Sequence, residues 1–462
     1  MKTLFINISL RPDAKRKLLP VGIAYIMTAA QKAGFDFDFI DMDGHDLSLL
    51  DLEKIIRKTS YDVYAFGCIV TGFRIVRQLS DMIKEANPQA VIVAGNSVAT
   101  SIHELLLTRT RVDIAVMGEG DITIVNILKA LEGKKGLDTV KGIAFKSGDR
   151  IVRTEDQPLI KNLDDFGYPD WNLFDLEKYA QRDQYNSNAT QFDGLVQFPV
   201  SAARGCPFSC TFCYHVFKGK KYRRYSDSCV IKEIAHLNNA YGANFISFWD
   251  ELTFPNIATV ENHVKAIGGL DFKIGWDAPC RAGLFRKEHV PLIRDIKASG
   301  CDNLSFSLEN ASPDILKAMN KHITVSQFIE QANALWKGGV APLTSVVLGY
   351  PQETPETIRM TLEVCEQCNI FPSVGFLLPL PGTPIYEWAR ENGHIKDEAA
   401  YLERIGDRQD FHINLTRMED QEFVDIVQQG LEKLAQRLGI KVDSVFKTTT
   451  YQKPKTRKKN AA

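Results

Sequence analysis

The hydrophobic pattern of the first 135 residues alternates short apolar runs with amphipathic stretches. Each run is nearly continuous, as in strands that are buried on both faces of a parallel sheet. The runs are residues 3–9, 35–41, 62–70, 90–95 and 112–118. Apolar residues recur at helical spacing between them. This order predicts a doubly wound α/β domain, residues 1–135, with flavodoxin-like strand order and a ligand beyond the carboxyl ends of the strands.

The pattern changes between residues 136 and 190. A β-hairpin is predicted with its turn at Ser147 and Gly148, and an aromatic-rich loop follows over residues 162–180. We interpret this region as a linker.

A second alternation of strands and helices fills residues 191–399. Its six strands are too few to close an eight-stranded barrel, so we expect a partial (β/α)6 barrel. Several strands end in polar residues, on the side where barrels carry out their chemistry. These residues are Arg204, Asp250, Glu251, Cys280, Arg281, Glu309 and Tyr350. Residues 400–446 are predicted to form a small helical region, and the basic tail 447–462 is predicted to be disordered.

Composition narrows the function. The chain has 462 residues and a formal net charge of -1, so no overall field attracts DNA or acidic membranes. No apolar run approaches the roughly 18 residues of a membrane span, and the N-terminus lacks the features of a signal peptide. Nine cysteines, an odd number, do not suggest a disulfide framework. We therefore expect a cytoplasmic protein without a transmembrane segment.

Cys206, Cys210 and Cys213 form a C-x3-C-x2-C cluster directly after the first barrel strand. A structural zinc site would need a fourth ligand, which His215 or Cys229 could supply. Unrelated buried thiols are a second possibility. An iron–sulfur cluster with three protein ligands is a third, and would leave one iron open to another molecule. The residues alone leave these alternatives open.

The segment "RGCPFSCTFCYH" resembles the cluster motif of the radical S-adenosylmethionine (SAM) superfamily, with Phe212 as its aromatic residue. "LLPVGIAYIMTAAQKAGFDFDFIDMDG", "AGNSVAT" and "DIAVMGEGD" resemble segments of the cobalamin-binding domain that precedes this barrel in one branch. "LSFSLENASPDILKAMNKHIT", "VVLGYPQETPETIRMT" and "LPLPGTPIYEWARENG" also resemble this branch. The resemblance spans roughly residues 1–400, and it identifies the chain as a member of the cobalamin-dependent radical SAM enzymes.

This resemblance implies three cofactors: an oxygen-sensitive 4Fe-4S cluster on Cys206, Cys210 and Cys213, SAM, and cobalamin. The residues it assigns to SAM are Phe212, Asp250, Glu251, Arg281, Ser307 and Glu309. The family has a Gly-Gly-Glu type sequence where this chain has "FWDEL", so either acid of that segment could contact SAM. Glu309 matches the ribose contact, and a surface ion pair is its alternative role.

The residues that the resemblance assigns to cobalamin are Thr71, Gly95, Asn96, Gly118, Glu119 and Gly120. Two family features are missing. "LRPDAKRKLLPVG" lacks the histidine that many such domains supply to cobalt, and "AGNS" replaces the usual "GGPH". His45 follows the second strand without the required spacing. We therefore expect base-off cobalamin without a histidine ligand from this domain.

The implied activity is methylation of an unactivated carbon, through a 5'-deoxyadenosyl radical and methylcobalamin. The implied partners are a small-molecule or natural-product substrate and an electron donor such as flavodoxin or ferredoxin. A cyclase or rearrangement enzyme with the same cofactors is the first alternative. A tRNA methylthiotransferase is less favoured, because residues 1–205 contain only Cys68. A zinc-dependent binding module is the non-enzymatic alternative. Cys365 and Cys368 are interpreted as ordinary thiols, and Cys68 as a core residue.

Overall fold

The computed structural model describes residues 1–440 except residues 13, 15, 16, 134 and 180–193. The predicted disorder of residues 447–462 therefore lies outside the described residues. The strands are β1 (Thr3–Asn7), β2 (Asp38–Asp41), β3 (Val63–Gly67), β4 (Val91–Gly95), β5 (Ile114–Val116), β6 (Ile143–Ser147), β7 (Arg150–Arg153), β8 (Gln197–Val200), β9 (Ala203–Arg204), β10 (Arg223–Arg224), β11 (Phe245–Phe248), β12 (Gly275–Pro279), β13 (Cys301–Ser305), β14 (Ala341–Leu343), β15 (Ser345–Leu348) and β16 (Ser373–Phe376).

The helices are α1 (Val21–Lys32), α2 (Leu49–Lys58), α3 (Phe73–Ala86), α4 (Ser97–Arg109), α5 (Asp121–Glu132), α6 (Asp227–Tyr241), α7 (Ile257–Ile267), α8 (Val290–Ala298), α9 (Pro313–Ala318), α10 (Val325–Gly338), α11 (Pro355–Gln367), α12 (Pro384–Glu391), α13 (Glu398–Arg404) and α14 (Asp420–Arg437). None of the described helices is both long enough and apolar enough to cross a membrane.

The N-terminal sheet has the order β2-β1-β3-β4-β5-β6-β7. Its first five strands are parallel, which confirms the predicted flavodoxin-like topology. The order reverses between β1 and β3, so a crevice opens at their carboxyl ends. The hairpin that we assigned to the linker instead extends this sheet, because β6 pairs with β5 in antiparallel fashion.

The linker is anchored by aromatic packing. Trp171 is fully buried, and its ring lies 5.7 Å from that of Phe174 and 6.2 Å from that of Phe198 on β8. Tyr179 donates a very short hydrogen bond to the carboxylate of Asp41 at the end of β2. These contacts join the N-terminal sheet to the barrel in one continuous core.

The second domain is a partial barrel of parallel strands, as predicted. β8, β11, β12, β13 and β14 form one sheet, and β15 pairs with β16. The fifth predicted strand is therefore split at Thr344, and a bridge from Glu309 to Val346 joins the two parts of the wall. The first predicted strand is also interrupted, between β8 and β9.

The C-terminal region is helical as predicted, but it packs on the barrel. Helix α14 lies against α11, where Gly430 allows close approach to Leu362. Arg437 and Glu366 form an ion pair across the two helices at 2.5 Å.

Candidate functional site

The cysteine loop, residues 206–213, leaves β9 at the carboxyl end of the barrel. Cys210 is buried, Cys206 is partly buried and Cys213 is exposed. Hydrogen bonds attach the loop to the carboxyl end of α9 and to the residue that follows it. The Thr211 N–H donates to the carbonyl of Met319 at 3.0 Å, and its hydroxyl donates to the carbonyl of Ala318 at 2.8 Å. This bracing fixes the backbone that carries the three thiols.

The three thiols affect one another's pKa values electrostatically. Although Cys213 is exposed as a residue, the groups packed around its thiol desolvate it, and this desolvation, followed by the neighbouring Cys210, raises the pKa of Cys213 to about 12. Burial also raises the pKa of Cys206. A bound metal reverses this effect, because it binds and stabilises the thiolate. The donor set therefore fits a group that brings positive charge to the loop.

Across the described residues, no three His, Cys, Asp or Glu side chains are placed to hold a single metal ion. A 4Fe-4S cluster requires a different arrangement, since each thiolate binds its own iron. The cysteine loop can supply three such ligands. A cluster held in this way would have its fourth iron open to an exogenous molecule.

The adjacent acids after β11 have different environments. The carboxylate of Asp250 is buried and accepts hydrogen bonds from the N–H groups of Ala202 at 3.0 Å and Ala203 at 3.2 Å, and from the Thr253 hydroxyl at 2.9 Å. Burial raises its pKa to about 7. Glu251 is exposed, and its carboxylate accepts one bond from the Gly205 N–H at 3.1 Å. Of these two adjacent acids, Glu251 is therefore the one whose carboxylate is accessible to a ligand beside the cysteine loop.

Glu309 also lies near the cysteine loop, and its charge contributes to the raised pKa of Cys213 after burial and the other cysteines. It is buried with a φ of 65°, a conformation that non-glycine residues adopt at a cost. Its carboxylate pairs with Lys321 Nζ at 2.8 Å, and both side chains are buried. The surface ion-pair alternative is therefore wrong about location, although an ion pair exists. Sequence reasoning missed Lys321, which the segment "MNKHIT" placed twelve residues downstream.

Two of the remaining SAM candidates belong to or contact the cysteine loop, namely Phe212 and Arg281. The ring of Phe212 packs edge-on against Tyr350, with centroids 6.3 Å apart. The Arg281 guanidinium stacks over the ring of Phe208 at 3.8 Å and donates a very short hydrogen bond to the Lys321 carbonyl. Ser307 shares a hydrogen bond of 2.9 Å with Ser345. The barrel thus brings Arg281 against the loop that carries Phe212, whereas the printed partner of Ser307 is Ser345 on β15.

A cavity of about 800 Å³ lies between the carboxyl edge of the N-terminal sheet and the barrel mouth. The sheet edge contributes Asn7, Gly67, Gly95, Asn96, Gly118, Glu119 and Gly120, and the barrel contributes Ser201, Ala203, Arg204, Val216, Phe217, Trp249 and Glu251. Leu18, Ile69 and Trp249 line it although they are 38, 41 and 42% exposed. Exposed apolar side chains concentrated in one cavity indicate a large ligand with apolar edges.

Comparisons with known proteins show which families the two domains match. Residues 12–128 match the model of the B12 binding domain, and residues 200–365 match the radical SAM superfamily. The chain belongs to the cobalamin-dependent radical SAM family.

Relatives agree with this assignment. The chain is 29% identical to the uncharacterized methyltransferase PH0819 of Pyrococcus horikoshii, over 81% of this chain and 79% of that protein. It is 28% identical to an anaerobic magnesium-protoporphyrin IX monomethyl ester cyclase of Cereibacter sphaeroides, over 83% of this chain and 62% of the cyclase. The fold is similar to that of the radical SAM methyltransferase TsrM of Kitasatospora setae, with TM-score 0.68, 17% identity, and coverage of 85% and 77%.

Five of the six residues assigned to cobalamin line the cavity of this radical SAM protein: Gly95, Asn96, Gly118, Glu119 and Gly120. Asn96 has φ 69° and ψ −159°, a region almost restricted to glycine, while its side chain accepts a bond from the Ser97 N–H. Gly118 has φ 75°, which its lack of a side chain permits. Thr71 is different, because it is buried in the 3-10 turn Val70–Gly72 and does not belong to the described lining.

Glu119 also has buried protein partners that the sequence did not predict. Its carboxylate accepts bonds from Arg204 at 2.6 Å, from Arg223 at 3.0 Å and from the Ile160 N–H at 2.9 Å. Asp121 binds the same Arg204 guanidinium at 2.9 and 3.0 Å. All four side chains are buried, so this network compensates the charges of the two carboxylates and two guanidiniums between the two domains.

The described part of the cavity lining contains no histidine. Among the described residues of the loop after β1, those that line the cavity are Leu10, Leu18, Leu19 and Pro20. His45 lies elsewhere: its Nδ1 is 3.1 Å from the Asp41 carbonyl, and its Nε2 is 3.7 Å from the Asp175 carboxylate.

Cys68, Cys365 and Cys368 are core residues. Cys365 and Cys368 are buried at the end of α11, and burial raises the pKa of Cys368 to about 11. Cys68 is buried after β3, where burial raises its pKa to about 12. All three environments match the sequence interpretation.

Proposed function

We propose that this enzyme methylates an unactivated carbon of a small molecule or natural product. The observation that supports the proposal most is the shared cavity. One wall is the predicted cobalamin edge of the N-terminal domain, and the other carries Glu251 beside the cysteine loop. A substrate in that cavity would lie between the two cofactor sites. The methyltransferase names of PH0819 and TsrM support the same reaction class.

When bound, the cluster and SAM supply one-electron cleavage of the sulfonium, and cobalamin carries the methyl group. The protein's own residues bind and orient. Cys206, Cys210 and Cys213 would hold three irons and leave one for the amino and carboxylate groups of SAM. Glu251 would accept a hydrogen bond from the methionyl amine, which Asp250 cannot do while it caps two backbone N–H groups.

Glu309 would accept hydrogen bonds from the ribose hydroxyls, since a carboxylate offers several acceptor sites. Lys321 holds that carboxylate in place through the buried ion pair. On the cobalamin side, Leu18, Ile69 and Trp249 would cover apolar edges of the ring and exclude water. The electron would come from a low-potential donor such as flavodoxin or ferredoxin.

A cyclase or rearrangement enzyme is the second candidate, and the similarity to the cyclase of Cereibacter sphaeroides favours it. The chain covers 62% of that cyclase, so cyclisation by this chain is a second proposal that the same experiment tests. The two reactions differ in their products. Methylation converts a second SAM to S-adenosylhomocysteine, whereas cyclisation forms none.

The test is anaerobic turnover of the reconstituted protein with cobalamin, methyl-labelled SAM and dithionite. Porphyrin, peptide and lipid substrates should be offered separately. We expect 5'-deoxyadenosine, S-adenosylhomocysteine and label in one substrate class. The Cys206→Ala variant is the control and should form none of them. A substrate that is transformed without S-adenosylhomocysteine or label would favour the cyclase, and failure to cleave SAM at all would contradict both candidates.

A further inference from the structure

Lys218 lies five residues beyond the last cysteine of the motif, yet its side chain turns back onto the cysteine loop. Its Nζ donates to the carbonyl of Cys213 at 2.6 Å and to the carbonyl of Cys210 at 3.1 Å. Both hydrogen bonds are assisted by the ammonium charge, and the lysine is half-buried. A positive charge is therefore fixed beside two of the three cluster ligands.

The other charges near the loop are arranged differently. Arg281 stacks on Phe208 at the opposite end of the loop, near Cys206. The charge of Glu309 is compensated by Lys321 at 2.8 Å. The positive charge of Lys218 is not opposed by an ion pair among the described contacts of that side chain. It is thus available to act on the sulfur ligands.

A cation in this position affects the two oxidation states of the cluster unequally. Reduction adds one electron, and therefore one negative charge, to a group that already carries thiolates. The attraction to a fixed ammonium is stronger after reduction, and partial burial limits screening by water. Charge and hydrogen bonding around the sulfur ligands are recognised determinants of cluster potential.

We propose that Lys218 raises the reduction potential of the cluster bound by Cys206, Cys210 and Cys213. In the step concerned, the cluster accepts one electron from a low-potential donor and passes from the 2+ to the 1+ state, with no bond or proton transferred. Lys218 is a positioning residue in this scheme, because it acts through the cysteine loop and not on SAM or substrate. The inference rests on the cluster of the proposed function.

The test uses the full chain, reconstituted with iron and sulfide, and compares Lys218→Met, Lys218→Arg and Lys221→Met. Lys221 lies three residues after Lys218, is exposed, and serves as the matched control. The reduced cluster is measured by electron paramagnetic resonance while dithionite and mediators set the potential. For Lys218→Met we expect the ratio of reduced to oxidised cluster at a fixed potential to fall about tenfold, which is a shift of about 59 mV.

Lys218→Arg should keep a potential close to that of the native protein, and Lys221→Met should not change it. A full iron content with an unchanged potential in Lys218→Met would overturn the proposal. So would an equal shift in Lys221→Met, since that result would reflect general surface charge. If Lys218→Met fails to retain iron, Lys218→Gln is used instead, because it keeps a neutral hydrogen-bond donor. An unchanged reduction potential in Lys218→Gln would also contradict the proposal. A native chain that binds no iron would instead overturn the proposed function.

Discussion

The cysteine loop and the carboxyl edge of the N-terminal sheet build their sites in opposite ways. The loop gathers its three proposed cluster ligands within eight residues, and hydrogen bonds to the carboxyl end of α9 and to Met319 hold it in place. The sheet edge assembles its wall from the ends of four strands, with Asn7 and Gly118 more than a hundred residues apart. The first site depends on local spacing, whereas the second depends on the whole topology of the sheet.

This difference determines how each site should fail. A cysteine of the loop would have no substitute as a cluster ligand, since each thiolate would bind a separate iron. At the sheet edge, a large ring would be held by many apolar and backbone contacts, so the loss of one contact removes only part of the binding energy. Single substitutions should therefore act sharply in the loop and gradually at the edge.

The sharpest contrast is expected from the cysteines. Cys206→Ala, Cys210→Ala or Cys213→Ala should each abolish the cluster and SAM cleavage. Iron and sulfide analysis together with anaerobic formation of 5'-deoxyadenosine measures this. Cys365→Ala and Cys368→Ala are matched controls, because both thiols are buried in the helical layer. Loss of iron in either control would reveal a second cluster and break the comparison.

The interdomain network should give the next largest effect, on stability. Glu119→Gln leaves the buried guanidiniums of Arg204 and Arg223 with less compensating charge, at a cost of about 3–5 kcal/mol. Denaturant-induced unfolding followed by tryptophan fluorescence measures the change. Glu155→Gln removes an exposed ion pair with Lys141 and should have little effect. Equal midpoints for the two variants would show that the network does not hold the domains together.

The comparison also explains what the sequence could reveal. The fold and the cysteine loop were predictable, since strand patterning and ligand spacing are local properties. The roles of Asp250 and Glu119 were not, because each carboxylate is occupied by groups distant in sequence: backbone N–H groups of the β8–β9 region for Asp250 and two arginines for Glu119. Lys321 was missed for the same reason. A lysine in a loop gives no sign that it faces a buried carboxylate.

A substitution of Glu309 tests the proposed SAM site on the barrel side of the cavity. Glu309→Gln should weaken SAM binding without removing iron, because one charge-assisted hydrogen bond is lost. We expect about 1.5–3 kcal/mol, or roughly tenfold to a hundredfold in affinity. Equilibrium binding of SAM to the reconstituted protein measures this. Glu356→Gln, in an exposed ion pair with Arg359, is the control. Unchanged affinity in Glu309→Gln would leave the buried ion pair with a structural role alone.

The adjacent acids after β11 provide a smaller and more selective test. Glu251→Ala should reduce SAM affinity about tenfold while the unfolding midpoint stays constant. Asp250→Ala should mainly reduce stability, by about 2 kcal/mol, because it leaves the N–H groups of Ala202 and Ala203 without their acceptor. Calorimetric SAM binding and denaturant unfolding of both variants separate the two effects. An exchange of these two phenotypes would show that our assignment is reversed.

The smallest effect is expected at the lower face of cobalamin, where His45→Ala should change nothing. The described cavity lining presents Leu10, Leu18 and Leu19 from the loop after β1, and apolar side chains cannot donate an axial nitrogen. His45 is turned towards the Asp41 carbonyl and Asp175 instead. The cob(II)alamin form should therefore be base-off, and its electron paramagnetic resonance spectrum should lack nitrogen superhyperfine splitting. A cobalamin held by these apolar residues without an axial nitrogen would be easier to reduce, which would suit the methyl transfer that the cofactor would supply. Splitting that disappears in His45→Ala would show that a histidine reaches cobalt, and that the sheet edge, like the cysteine loop, depends on a single indispensable ligand.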